Sequence, residues 1–255
     1  MNKIVEKLKD DNFYYGEEGK KFLSNSDIKP MMDDIEGFKY RRLNGVKEFK
    51  TVDMLFGNLF HQTILEPHKL DEWTFVDVSG RNTKKYREAK ENNGGEELLL
   101  QNEYDKCMKL ADKLLNNEEV FDLIDIAESK KEVPAVGMVL EGGMYQWKGK
   151  ADIINEKMGL VVDLKTTSSI DRFYTSSKTY NYDSQSYIYN KLFDKDVVFV
   201  VIDKNTFKIG IAFPSEDAYQ RGEEKVRKAE EQYYNYVDPS GAGLDASQHL
   251  IKFNI

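Results

Sequence analysis

Asp152, Asp163 and Lys165 are the residues of this 255-residue chain whose types and spacing best suit joint chemistry. Asp152 closes the run Trp147-Lys148-Gly149-Lys150-Ala151-Asp152. Asp163 and Lys165 lie in Val161-Val162-Asp163-Leu164-Lys165. Both runs read as β-strands, separated by a turn at Glu156-Lys157-Met158-Gly159. Paired antiparallel about that turn, Asp152 and Asp163 come roughly opposite each other. Residues i and i+2 of a strand share a face, so Lys165 points the same way as Asp163. Two carboxylates in close apposition repel unless a cation sits between them. Oxygen ligands favour a hard divalent ion, Mg²⁺ or Mn²⁺. A charged lysine does not ligate the ion, but it can hold an attacking water or neutralise charge in the transition state. Metal and lysine beside a polyanion suit phosphodiester hydrolysis. Asp-x-Lys also ends ordinary surface strands. Here it follows Leu160-Val161-Val162, where an unpaired buried charge costs on the order of several kcal/mol.

Other residues could join this group, and each also has a plainer reading. His61, in Gly57-Asn58-Leu59-Phe60-His61, is either a structural histidine or an imidazole for a metal site. Gly57, one turn earlier, would let another segment approach. Gln185 and Tyr189 are four apart on a helix and share a face. They are either a surface Gln with a half-buried Tyr, or a polar pair on the lysine, a phosphate or a base. Thr166, Thr167, Ser168 and Ser169 form a polar loop that could donate hydrogen bonds to phosphates. Two basic islands stand out in an acidic chain. Phe38 to Lys50 carries Lys39, Arg41, Arg42, Lys47 and Lys50 against Glu48, and Arg81 to Lys90 carries Arg81, Lys84, Lys85, Arg87 and Lys90 against Glu88. They are either solvated faces or a surface for a polyanion.

The elements that must position these residues follow from periodicity. To about residue 70 the chain reads as helices and loops, with a helix start at Asn25-Ser26-Asp27 and a helix over Val52 to Leu65 stopped by Pro67. Trp73 to Val76 is strand-like, and Asn92-Asn93-Gly94-Gly95 is the most flexible stretch. Asn102 to Ile126 is a helix or helix pair, with Tyr104, Met108, Ala111, Leu114 and Leu115 at helical spacing. Strands are expected at Val133 to Leu140, Met144 to Asn155 and Leu160 to Lys165, the last apolar enough to be central. A Ser/Thr loop, a helix over Tyr182 to Phe193, strands at Val197 to Ile202 and Phe207 to Phe213, and a charged amphipathic helix from Ser215 to Tyr236 complete the pattern. The class is α/β, a mixed central sheet flanked by helices.

Composition narrows the function. Hydrophobic residues make up 40% and charged residues 32%, enough apolar material for a sizeable core, which excludes wholesale disorder. No run approaches the roughly 20 apolar residues of a membrane helix, and the opening residues lack the apolar run of a signal peptide. The expected setting is the cytoplasm, with no membrane partner. Cys107 is the single cysteine, which excludes an internal disulfide, a four-cysteine zinc site and a four-cysteine iron–sulfur cluster. It reads as a small core residue. The net charge of −8 argues mildly against a nucleic-acid partner, and the two basic islands argue the other way.

Taken in order, Gly-x-x-x-His, Gly-x-x-Asp, Asp-x-Lys and Gln-x-x-x-Tyr resemble the PD-(D/E)XK nucleases of the RecB and λ-exonuclease type. The likeness tightens towards the RecE, or exonuclease VIII, group. Phe56 to Pro67 resembles that group's Phe-Gly-x-x-x-His-x-x-x-Leu-Glu-Pro, Asp163-Leu164-Lys165-Thr166-Thr167 resembles its Asp-Leu-Lys-Thr-Thr, and Arg81-Asn82-Thr83-Lys84 resembles its Arg-x-Thr-Lys. The likeness covers about residues 20 to 195. Lys150 departs from it, standing where the family often has arginine.

The resemblance implies a restriction-endonuclease-like core in one nuclease domain, 1–255: a mainly helical part at 1–126, a catalytic sheet at 127–213, and a helix and tail at 214–255. It implies that Asp152, Asp163 and the Leu164 carbonyl bind Mg²⁺, with Mn²⁺ as the other candidate. Lys165 would position or activate water, and His61 would ligate or border a second metal. Glu132, or alternatively Glu128, would be a further ligand. Gln185 and Tyr189 would support Lys165 and the DNA strand. Arg41, Arg42, Arg81, Lys84, Lys85, Thr166, Thr167 and Ser168 would line the DNA path. The implied activity is 5′-to-3′ digestion of double-stranded DNA from an end, leaving a 3′ single strand for recombination. A three- or fourfold ring, a single-strand annealing partner and a phage setting go with it. An endonuclease or single-strand nuclease on the same core, or an inactive DNA-binding module, are the rival expectations.

Overall fold

A computed structural model describes residues 2–46 and 49–249. Lys47 and Glu48 of the first basic island, and the expectation that Leu250 to Ile255 pack on a neighbour or add an edge strand, lie outside the described residues. The helices are α1 (Asn2–Lys7), α2 (Asp11–Tyr15), α3 (Asn25–Asp33), α4 (Ile35–Asn44), α5 (Val52–Leu65), α6 (Lys84–Asn92), α7 (Gln101–Leu115), α8 (Glu118–Ile124), α9 (Phe173–Thr179), α10 (Tyr182–Phe193) and α11 (Glu216–Gln232). The strands are β1 (Phe75–Val76), β2 (Leu99–Leu100), β3 (Lys130–Gly137), β4 (Trp147–Asn155), β5 (Leu160–Thr167), β6 (Asp196–Asp203) and β7 (Ile209–Ala212). Among the described residues no helix is long and apolar enough to cross a membrane.

The last five strands form one mixed sheet in the order β3-β4-β5-β6-β7. β3, β4 and β5 are an antiparallel meander, β6 runs parallel to β5, and β7 returns antiparallel. The parallel step needs a crossover, which α9 and α10 supply. The middle of β5 and nearly all of β6 are buried because helices cover both faces. On one side Ile188 of α10 and Val226 and Ala229 of α11 pack on Val161, Val197 and Val201. On the other, Leu59 and Phe60 of α5 and Leu110 and Leu114 of α7 pack on Val162, Leu164, Val198 and Val200. Cys107 is free and buried in that second layer, as a small core residue should be.

Local chemistry explains most boundaries. The Thr51 side chain accepts the Met54 N–H to start α5, and Pro67 ends it with a 3₁₀ turn. Ser24 and Asp27 form a capping box at α3. The expected helix over Asn102 to Ile126 is the pair α7 and α8, broken at Asn116-Asn117, and Met108 of that stripe is exposed rather than core. β3 starts and ends three residues before the expected Val133–Leu140. Val139 and Leu140 leave the ladder for the α10 side, where the Tyr187 hydroxyl donates to the Val139 carbonyl at 3.0 Å. The expected Ser/Thr loop contains α9, which buries no residue and so has no apolar periodicity to betray it.

Candidate active site

Glu132, Asp152 and Asp163 form a row across β3, β4 and β5. The β3–β4 register pairs Lys131 with Ile153 and Val133 with Ala151, which puts Glu132 opposite Asp152. The β4–β5 ladder ends at Ile153 and Val162, and one step further places Asp152 opposite Asp163. The ladder is interrupted at this row. Glu132 has φ +49, a left-handed conformation unusual for a non-glycine residue. Beside it, the Asp152 Oδ2 accepts the Leu164 N–H at 2.8 Å, so a side chain takes the place of a backbone partner. The strands thus part where the carboxylates meet, and the opening is framed by α5 and α10.

Each helix contributes one side chain. His61 of α5 lies with Nδ1 3.3 Å from Asp152 Oδ2. Gln185 of α10 donates its Nε2–H to Asp163 Oδ1 at 2.5 Å, and both residues are buried. Lys165 pairs with Asp163 through Oδ2 and lies over the rings of Tyr182 and Phe199, 5.0 and 5.8 Å from their centroids. The expected juxtaposition of Gln185 with Lys165 therefore gives way to one of Gln185 with Asp163. Tyr189 does not reach the lysine either; its hydroxyl donates to the Lys150 carbonyl at 2.8 Å, and its ring lies on Gly149. A Cβ at Gly149 would stand 2.8 Å from Tyr189 Cε1, so the glycine admits α10 to β4. Gly57 has no such duty inside the chain, since a Cβ there would first meet Thr166 Oγ1 at 4.0 Å. Of the two acidic alternatives, Glu132 joins the row and Glu128 sits in an exposed turn.

The charges shape one another. Burial pushes the Glu132 carboxyl up to about 7, with Asp152 and Glu66 adding to the effect. Burial and the neighbouring Asp152 raise Asp163 against the pull of Lys165. Burial also raises Asp152, but His61 and Lys165 outweigh it and hold that carboxyl below its ordinary range. Burial disfavours charge on Lys165 and His61, yet Asp163 and Asp152 respectively overcome it and shift both groups upward.

A hard divalent ion fits this donor set. Three carboxylates share a row in a buried opening, and Asp163 Oδ2 is met by the Lys165 ammonium alone. The nitrogen groups facing Asp163 and Asp152 are the side chains of Lys165 and His61. Among the described residues no three His, Cys, Asp or Glu side chains stand close enough together to hold a metal ion as they are placed, so an ion would have to draw the row together.

The residues expected to line a DNA path are dispersed, and several are committed elsewhere. Arg42 pairs with Asp27 at 3.1 Å, donates to the Lys20 and Phe22 carbonyls, and lies over the rings of Phe38 and Tyr233. Arg81 grips Glu103 with two nitrogens at 3.0 and 2.6 Å, and Leu98 O at 3.2 Å. Both arginines hold the fold through these contacts: islands of basic sequence contain side chains that turn inward to partners distant in sequence. Arg41 lies 3.5 Å from Asp34. Lys84 is 86% exposed beside Glu88, and Lys85 donates to the Asp77 carbonyl. Thr166 faces Gly57, the Thr167 hydroxyl is taken by Ser169, and Ser168 is exposed.

Sequence reasoning gave no role to Asp11 or Lys69, which lie beside this opening, and quoted Glu66 only within a motif. Asp11 carries no periodic or motif signal. Glu66 had one, standing directly after the helix of His61.

Residues 24–238 match the family described as a PDDEXK-like domain of unknown function (DUF3799). No curated protein matches the chain. Solved structures similar to it include the following two. The crystal structure of SSO0001 shares 17% identity over 68% of this chain and 84% of that one, with a TM-score of 0.32. That of a phage related exonuclease from Haemophilus somnus 129PT shares 16% identity over 83% of this chain and 93% of that one, with a TM-score of 0.35.

Proposed function

The chain belongs to the PDDEXK-like family DUF3799, and from that membership we propose that it is a Mg²⁺-dependent exonuclease of double-stranded DNA, working 5′ to 3′. The observation that carries the nuclease reading is the row Glu132–Asp152–Asp163 with Lys165 paired beside it in a buried opening. The preference for ends rests on the likeness of Phe56–Pro67 and Asp163–Thr167 to the RecE group. A ring-shaped homo-oligomer, an annealing partner and a cytoplasmic setting come with that likeness and share its standing.

Asp152, Asp163 and Glu132 would hold the ion, with the Leu164 carbonyl and His61 bordering it. When bound, such an ion neutralises the phosphate and acidifies a coordinated water. The chain's residues do the rest. Gln185 fixes Asp163 through Oδ1, which leaves Oδ2 for the ion or the lysine. The Leu164 N–H fixes Asp152. Lys165, cationic between two aromatic faces, orients water and offsets charge that builds on the phosphate oxygens. Glu132, whose proton is lost near neutrality, must be ionised to ligate.

The test compares wild type and Lys165→Ala on linear and closed circular duplex DNA, with Mg²⁺ and with chelator. Mg²⁺-dependent loss of the linear form alone, abolished in the variant, is expected, and end-labelling then reads polarity. Loss of the circle as well would make the protein an endonuclease. DNA bound without any metal-dependent cleavage would make it a binding module.

A further inference from the structure

Residues 2–15 precede the segment that matches the family, and they carry an acidic side chain to the active-site opening. Leu8 and Tyr14 pack on Val136 of β3 and anchor this segment. Asp11, the first residue of α2, places Oδ1 2.5 Å from Lys150 Nζ and Oδ2 2.9 Å from Lys69 Nζ. Lys150 lies two residues before Asp152 on the same face of β4 and also sits 4.8 Å from the Tyr14 ring centroid. Lys69 follows the helix of His61 and is 2.8 Å from Glu66. Glu66 and Lys150 both act on Glu132, so this cluster adjoins the carboxylate row.

Two features separate the contact from an ordinary surface ion pair. The lysines are the buried partners, with side chains 11% and 23% exposed, while the acid is 45% exposed. The anion is therefore the part that can leave without moving the frame. Two ammonium groups each holding one oxygen of a single anion is also the arrangement by which lysines grip two oxygens of a phosphate. The lysines more than offset the effect of burial and hold the Asp11 carboxyl below its usual range, so an anion stays in the cradle at neutral pH.

We propose that Lys69 and Lys150 form a binding subsite for a phosphate of the substrate strand beside the metal carboxylates, and that Asp11 occupies it until that phosphate displaces it. The proposal rests on the nuclease reading above. It accounts for how a polyanion approaches a row of three acids in a chain of net charge −8.

The test reads equilibrium binding of a short fluorescent duplex by anisotropy, in chelator, with the full chain. Asp11→Asn keeps the shape and removes the competing charge. It is expected to tighten binding about three- to tenfold, the worth of two partly exposed ion pairs. Lys69→Met with Lys150→Met is expected to weaken binding and to lower the slope of log K against log salt by about 0.9 for duplex DNA, one phosphate's worth. In that background the gain from Asp11→Asn should vanish. Thermal denaturation of every variant identifies any that is unfolded, and Lys69→Met alone, at the more exposed lysine, then supplies about half the slope change. A gain confined to a 5′-phosphorylated duplex identifies a terminal phosphate, and an equal gain with a 5′-hydroxyl identifies an internal one. A folded Asp11→Asn chain with lower melting temperature and unchanged affinity would make the contact a staple only and overturn the proposal. An inactive chain that binds DNA through these lysines would overturn the nuclease reading and leave the subsite standing.

Discussion

Gly149→Ala tests whether the approach of α10 to β4 builds the site. The added Cβ would stand 2.8 Å from Tyr189 Cε1 and 3.1 Å from Leu192 Cδ1, both on α10. Carbon atoms rest about 3.5–4.0 Å apart, so the ring must retreat by at least about 0.7 Å. Tyr189 has little room to do so, being buried and tied to the Lys150 carbonyl. The helix must therefore shift, carrying Gln185 and its 2.5 Å hydrogen bond to Asp163. Overpacking of this kind costs about 1–3 kcal/mol. At about 2–4 °C per kcal/mol for a chain of this size, the melting temperature should fall by about 2–12 °C. Cleavage should fall further than stability explains, because Asp163 loses its fixed orientation. The control is a double-mutant cycle with Tyr189→Ala, which removes the ring the Cβ would strike. In that background Gly149→Ala should cost much less. A Gly149→Ala protein with unchanged melting temperature and full activity would refute the reasoning. A cost that persists undiminished without the ring would show that the clash lies elsewhere.

Two further predictions concern cations engaged within the fold. Lys148 is buried on β4; burial, with Arg42, Lys150 and Lys20 nearby, brings its ammonium down to about 8 against the opposing pull of Asp27, while the unfolded chain keeps about 10.5. The fold disfavours the charged form, so this group costs at most about 3 kcal/mol below pH 8 and the cost fades as pH rises towards 10. Urea denaturation of Lys148→Met and wild type should therefore show a difference favouring the variant that is largest at pH 7 and shrinks by pH 9.5; a pH-independent difference would contradict the assignment. Arg81→Ala breaks the two-point grip on Glu103 and should destabilise the protein by about 1–3 kcal/mol while leaving DNA affinity and its salt dependence unchanged, as denaturation and anisotropy on the same samples will show.

Much of the frame was legible because it follows from short-range rules. The hairpin around Glu156–Gly159, the apolar β5, and the exact spans of α5 and α10 come from turn residues, β-branched runs, caps and a stopping proline. The opposition of Asp152 and Asp163 needs only a turn position and a period of two. What stayed hidden was of two kinds. α9 has no fully buried residue and packs on the core through Phe173, so it leaves no apolar stripe in the sequence. The basic islands look alike residue by residue, yet Arg42 and Arg81 are spent on Asp27 and Glu103, 15 and 22 residues away.

By itself, then, the sequence determined the order of the elements, the mixed sheet between helices, and the strand pair that sets two carboxylates and a lysine on one patch. These are consequences of local propensity and periodicity, which a chain carries at every position. The tertiary structure decided which partner each charge meets: Gln185 on Asp163 rather than on Lys165, Tyr189 on the Lys150 carbonyl, Glu132 completing the row, and Asp11 clasped by Lys69 and Lys150. Those pairings join residues up to 139 positions apart. A charge in a partly buried site seeks whatever opposite charge or dipole the packing delivers, and packing brings together surfaces whose proximity is not written in any local stretch of the chain.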